Sequence, residues 1–126
     1  MSRLLLVILG GGLGSGARYM VSVWMLARLG PGFPWGTLTV NVLGSFLLGA
    51  LMQLGLSSEL FGADTRLMLT TGFLGGFTTY STFNYETLRM VQEGSWGAAL
   101  AYATTTFVSC LVAGALGLMA TRAAVG

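Results

Sequence analysis

Three groups of polar residues interrupt an otherwise apolar chain, and their types restrict the chemistry to hydrogen bonding. The densest is Gly75-Gly76-Phe77-Thr78-Thr79-Tyr80-Ser81-Thr82-Phe83, where four of the six residues from Thr78 to Phe83 are Thr or Ser. A second group, Thr37, Asn41 and Ser45, has i, i+4, i+8 spacing and shares one helical face, which Gly49 continues. A third, Tyr102, Thr106 and Cys110, repeats that spacing. Amides and hydroxyls donate hydrogen bonds, and the ring edges of Tyr80 and Phe83 carry the positive part of the aromatic quadrupole. Uncharged donors and ring edges suit a small, strongly hydrogen-bonding anion, although every hydroxyl is also an acceptor. Each group has a plainer reading beside this one. Asn41 either bonds to a neighbouring helix or offers its N–H groups to a passing anion. The hydroxyls of the third group either line a polar path or return to their own i−4 carbonyls.

Other chemistries are poorly supplied. The chain has no His and no Lys, so it has no imidazole for base catalysis or metal ligation, and no nucleophile–base pair can be assembled. Cys110 is the only cysteine, which rules out an internal disulfide. A net charge of +2, spread along the chain, does not suit nucleic-acid binding.

The elements that position these groups are membrane helices. Of 126 residues, 54% are hydrophobic and 8% charged, against about 25% charged in soluble domains, and the mean hydropathy is +0.78. The sequence therefore predicts an all-α membrane protein, a single domain over 1–126 with four spans at about 4–27, 35–56, 67–90 and 96–121. Pro31 and Pro34 mark the first connection, and Trp24, Trp35 and Trp96 sit near segment ends, as interfacial aromatics do. The third segment is long enough to span, but Gly-Gly and the hydroxyl run lie at its centre. It reads as a helix broken at mid-membrane, which is tolerated only where the backbone is buried in protein or lines a polar cavity. Broken helices of this kind hold ions through freed carbonyls and helix ends. Arg3 and the leucines after it imitate a cleaved leader, but the apolar sequence runs on to Ala27, so this segment is expected to stay as the first span.

The remaining features carry two readings each. Gly10 with Gly14, and Gly12 with Gly16, form small-xxx-small pairs for close helix packing, or else mark a second unwound region. A phosphate-binding loop is excluded there, because no strand precedes the glycines and no Gly-Lys-Ser/Thr follows. Arg18 lies inside the first segment, where a charge is costly; it either anchors the helix or attracts an anion. Glu86 and Arg89, at i, i+3, are placed to pair. Arg3, Arg66 and Arg122 lie on one side of the predicted topology, with Arg28 and Arg89 on the other, joined by Arg18 if it snorkels that way. That near-balance removes the positive-inside bias. Four short helices are also too few to enclose much of an aqueous path. Both points predict an antiparallel, dual-topology homodimer.

The stretch from Thr71 to Phe83 closely resembles the signature of the Fluc/CrcB fluoride channels, in particular its Gly-Gly-x-Thr-Thr-x-Ser-Thr-Phe motif. Gly36-Thr37-Leu38-Thr39-Val40-Asn41 and Gly14-Ser15-Gly16-Ala17-Arg18-Tyr19 resemble the same family, and the likeness extends over the whole chain. It implies a homodimer of the bacterial inner membrane that exports fluoride passively through two pathways. It also implies a central structural sodium ion that is not transported, held by the backbone carbonyls of Gly75 and Thr78 from both subunits; oxygen ligands suit a hard cation. The implied ion pathway comprises Asn41, Tyr80, Ser81, Thr82 and Phe83, with Tyr102, Thr106 and Cys110 as a polar track. Two residues depart from the family pattern: Tyr80 stands where Phe is usual, and Cys110 where Ser is usual. The rival of similar size is a small dual-topology multidrug or guanidinium exporter. Such an exporter needs a carboxylate within the membrane, and the only one in the spans, Glu86, lies near the end of the third.

Overall fold

The computed structural model describes residues 2–57 and 62–125, and among them the regular structure is entirely helical. Helix α1 (Arg3–Leu29) starts where the Ser2 hydroxyl accepts the Leu5 N–H at 3.2 Å. It stops at Gly30, whose φ of 78° suits a residue without Cβ and whose N–H closes on the Leu26 carbonyl. Pro31 and Pro34 follow, and α2 (Trp35–Ser57) begins directly after the second proline. The third segment comes in pieces: α3 (Ala63–Leu67), a π-helical stretch (Met68–Leu74), α4 (Gly75–Phe77) and α5 (Tyr80–Gln92). The chain turns back at Gly94, with φ 80°, into α6 (Trp96–Val125).

Among the described residues, three helices are long and apolar enough to cross a membrane: Arg3–Leu29, Trp35–Gly55 and Trp96–Val125. The remaining expected span, 67–90, is not one rod. Helical geometry holds from Ala63 to Phe77, then Thr78 (φ −87°, ψ 160°) and Thr79 (φ −153°, ψ 117°) are extended before α5 resumes. The 13 residues of α5 reach only about 20 Å at 1.5 Å per residue. The π-helical stretch has no counterpart in the sequence reading. It fits one extra residue into the turns just ahead of the interruption. Glu59 lies outside the described residues.

The helices pack as two close pairs, and glycine closes both. In the pair α2 and α6, a methyl group on Gly117 would overlap the Phe46 carbonyl, and one on Gly49 the Gly114 carbonyl. In the pair of α1 with the π-helical stretch and α4, a Cβ on Gly10 would come within 2.6 Å of the Met68 carbonyl, and one on Gly14 would overlap Phe73. Gly10 and Gly14 thus do pack closely. Gly12 and Gly16 meet nothing within 4 Å, and α1 is unbroken through the whole glycine run, so no second unwound region forms. Val40 and Tyr102 are completely buried, and Leu74 and Phe77 nearly so. Leu5, Ile8, Leu100 and Phe107 are exposed, as on a surface facing lipid. The Arg3 guanidinium and Asp64 carboxylate, 3.2 Å apart, join the starts of α1 and α3.

Candidate functional site

The interruption is held by one side chain from another helix. Asn41 of α2 accepts the Thr79 N–H on Oδ1 at 2.8 Å and donates from Nδ2 to the Thr79 carbonyl at 3.0 Å. Both backbone groups of an extended residue are thereby paired outside any helix. The Thr79 hydroxyl accepts the Thr82 N–H at 3.1 Å, capping α5, and also donates to the Thr82 hydroxyl at 3.0 Å. The Thr78 hydroxyl donates back to the Leu74 carbonyl at 2.9 Å, where the Thr78 N–H also closes. Gly44 lets α2 come this near, since a Cβ there would overlap the Thr78 side chain.

These bonds divert two helical donors. In a continuous helix the Thr79 N–H would reach the Gly75 carbonyl and the Thr82 N–H the Thr78 carbonyl. Here the first goes to Asn41 and the second to the Thr79 hydroxyl. The carbonyls of Gly75 and Thr78, the pair expected to hold a cation, lose their usual partners, and both residues line the same cavity. Neutral oxygens so placed fit an alkali cation. The carbonyl of Gly76, between them in sequence, accepts from Arg18 Nε at 3.0 Å. The Arg18 side chain is therefore bound to the neighbouring backbone, which is anchoring of a kind the sequence did not specify.

The cavity beside the interruption has a volume of about 720 Å³. Asn41 and Ser45 of α2, Thr78 to Tyr80 and Phe83 of the third segment, and Thr106 and Cys110 of α6 line it, and no Arg, Asp or Glu does. Thr106 is only 7% exposed and its hydroxyl has no hydrogen-bond partner. The hydroxyl one turn away behaves otherwise: Ser109 bonds back to the Thr105 carbonyl. Cys110 of α6 and Ser45 of α2 line the same cavity. Tyr80 is 78% exposed, and its ring meets Phe83 nearly edge-on, with centroids 5.7 Å apart.

Not every expected site residue comes together here. Tyr102 lies outside the cavity. It is fully buried where α5 meets α6, its hydroxyl donates to Glu86 at 2.9 Å, and its ring packs on Phe83 and Phe33. That bond overturns the expected Glu86–Arg89 pair. At i, i+3 the two are near, but Glu86 turns inward to Tyr102, and Arg89 pairs with Glu93 at 3.1 Å. Thr82 faces a separate pocket of about 260 Å³ with Glu86, Thr37 and Ser22. Ser81 is exposed, 3.4 Å from the Thr79 hydroxyl. Thr79, absent from the residues expected of the site, is the hub of the interruption. The signal in the sequence was its place three residues before Thr82, where an N-cap reaches the N3 amide. Ser45 shares a helical face with Asn41, and that shared face brings it to the cavity.

Residues 5–118 match the family model described as CrcB-like protein, Camphor Resistance (CrcB). Among curated proteins, the fluoride-specific ion channel FluC of Anaeromyxobacter sp. (strain K) is 60% identical over 113 residues, 90% of each chain. The FluC of Sorangium cellulosum (strain So ce56) is 50% identical over 122 residues, 97% of this chain and 96% of its own. That of Thermus thermophilus is 48% identical over 126 residues, 100% of this chain and 98% of its own. The family model and these relatives cover nearly the full length of the chain, and the chain belongs to the CrcB family.

Proposed function

We propose that the protein is a fluoride channel: an antiparallel, dual-topology homodimer of the bacterial inner membrane that lets fluoride leave the cell passively, with a structural sodium ion at its centre. CrcB proteins are ion channels, not enzymes, and the relatives' names specify fluoride. The observation that carries the reading is the cavity of neutral donors beside the interruption, with the buried, unpartnered Thr106 hydroxyl in its wall. A fluoride ion leaving water needs donors that do not trap it by charge, and conduction needs binding weak enough to release. Asn41 spends one Nδ2 hydrogen on Thr79 and keeps the other. Ser45, Thr106 and Cys110 continue the donors along the cavity, with the Phe83 and Tyr80 edges at one side. Chloride, larger and a poorer acceptor, gains less from the same groups.

The homodimer reading rests on exposure. Gly75, Tyr80 and Ser81, at the interruption, are all exposed on the single subunit. Irregular backbone and hydroxyls do not face lipid, so a second protein surface must cover them. A copy inserted the opposite way up would set its own interruption against this one and close the cavity. The sodium reading rests on the Gly75 and Thr78 carbonyls, whose customary donors are taken by Asn41 and Thr79. A monovalent cation between such carbonyls would neutralise their like-facing dipoles. The small-exporter reading loses its carboxylate, because Glu86 is bonded to Tyr102 outside the main cavity.

The test is efflux from liposomes loaded with fluoride or chloride, after reconstitution of the purified chain. Fast fluoride release with chloride retained is the expected result. No fluoride release, with proton-coupled uptake of a guanidinium or quaternary cation, would overturn it.

A further inference from the structure

Three carbonyls around the interruption are treated differently. Those of Gly75 and Thr78 belong to residues that line the large cavity and have lost their helical donors, whereas Gly76 faces α1. Two contacts hold Gly76 there. Its Cα carries no methyl, which would overlap the Gly11 carbonyl, and its own carbonyl accepts from Arg18 Nε at 3.0 Å. Arg18 is half-buried, and no acidic side chain lies within ion-pair distance of it among the described residues. A guanidinium that deep, without a counter-ion, is costly to keep. Its hydrogen bond to one backbone oxygen does not offset that cost through charge neutralisation. What the bond does achieve is geometric: it ties the peptide between Gly76 and Phe77 to α1, within two peptides of the Gly75 and Thr78 carbonyls.

We infer that Arg18 is a positioning residue for the central cation, acting through the Gly76 carbonyl rather than by touching the ion. The inference rests on the reading that Gly75 and Thr78 hold sodium. It has an unusual sign. Arg18 is positive, so by charge alone it weakens cation binding, and removing that charge would tighten it. If Arg18 instead orients the carbonyls, removing it loosens cation binding in spite of the lost repulsion.

The experiment is thermal unfolding of the full-length protein in detergent over a range of sodium concentrations, with choline replacing sodium to hold ionic strength constant. The unchanged protein should be stabilised saturably, giving a sodium midpoint. Arg18→Gln should raise that midpoint about 10-fold, the lower end of what loss of an outer-sphere partner does to metal affinity. Its unfolding temperature without sodium should change much less. Arg18→Lys, which keeps the charge but lacks the Nε donor, should also raise the midpoint, and it carries the test if Arg18→Gln does not fold. An unchanged midpoint, or unfolding temperatures lowered equally at every sodium concentration, would make Arg18 a packing residue and overturn the inference. A lowered midpoint would show that charge dominates and would overturn it too. If the unchanged protein shows no sodium dependence, the sodium reading itself fails and the inference with it. Fluoride efflux from the same preparation then shows whether the channel reading stands without sodium.

Discussion

The two close helix pairs use the same device and reach different ends. In α2 and α6, Gly49 and Gly117 let two regular helices approach until backbone meets backbone, and both stay helical throughout. In the other pair, Gly10 and Gly14 bring α1 equally close to the third segment, yet that segment widens into π-helix and then breaks. Close approach through glycine is thus not what opens the chain. The difference lies in what stands opposite. At the break, Asn41 offers a donor and an acceptor to a single residue, Thr79, and Thr79 itself offers a hydroxyl to the next helix. The glycine contacts between α2 and α6 meet backbone that is already paired within its own helix. A helix gives up its internal bonds where replacements are supplied on the spot, because an unpaired backbone group away from water costs about 1–3 kcal/mol.

The sharpest way to break this contrast is at Asn41. Asn41→Asp removes the donor to the Thr79 carbonyl and sets a negative charge at the cavity wall. A charge pair near 4 Å is worth about 4 kcal/mol at an effective dielectric constant of 20. Fluoride efflux from liposomes should accordingly fall by about 1,000-fold. Efflux at the wild-type rate would remove Asn41 from both the pathway and the clamp.

Gly14 and Gly12 test the packing half of the contrast. Gly14→Val must push α1 off Phe73, at a cost of about 1–3 kcal/mol or more for overpacking, and should lower the unfolding temperature and the yield of folded protein. Gly12→Val places its Cβ in open space within the subunit and should be much milder in the same melt. Equal losses would mean that Gly12 is as closely covered, by a surface outside this subunit.

Tyr102→Phe keeps the buried ring and deletes the bond to Glu86. Hydrogen bonds to charged groups contribute about 1.5–3 kcal/mol, so a loss of that order is expected in unfolding experiments. Efflux should slow less than with Asn41→Asp, because Phe83 keeps its packing on the ring. The smallest effect is expected from Glu93→Gln. Both it and its partner Arg89 are exposed, and efflux and unfolding temperature should both be unchanged.

Much of the fold was legible because hydropathy reports on long apolar helices directly. The spans expected at 4–27, 35–56 and 96–121 correspond to Arg3–Leu29, Trp35–Ser57 and Trp96–Val125, with ends set by Ser2, Gly30 and Pro34. The i, i+4, i+8 faces of α2 and α6 were legible for the same reason, since a regular helix turns spacing into direction. That rule put Asn41, Ser45, Thr106 and Cys110 along one cavity. Tyr102, on the same helix, is buried instead in the α5–α6 joint against Phe83 and Glu86.

The sequence by itself determined that this is an apolar helical chain without His or Lys, that its third segment carries a hydroxyl-rich interruption between apolar flanks, and that its motifs belong with the CrcB proteins. Only the tertiary structure decided which polar group satisfies which. Glu86 had Arg89 three residues away and took Tyr102; Arg18 had no partner in its own segment and took the Gly76 carbonyl; Asn41 took both backbone groups of Thr79. Spacing places a side chain on a face of its own helix. A hydrogen bond across helices depends on the distance and rotation of the neighbour, and those are set by which glycines let two backbones meet.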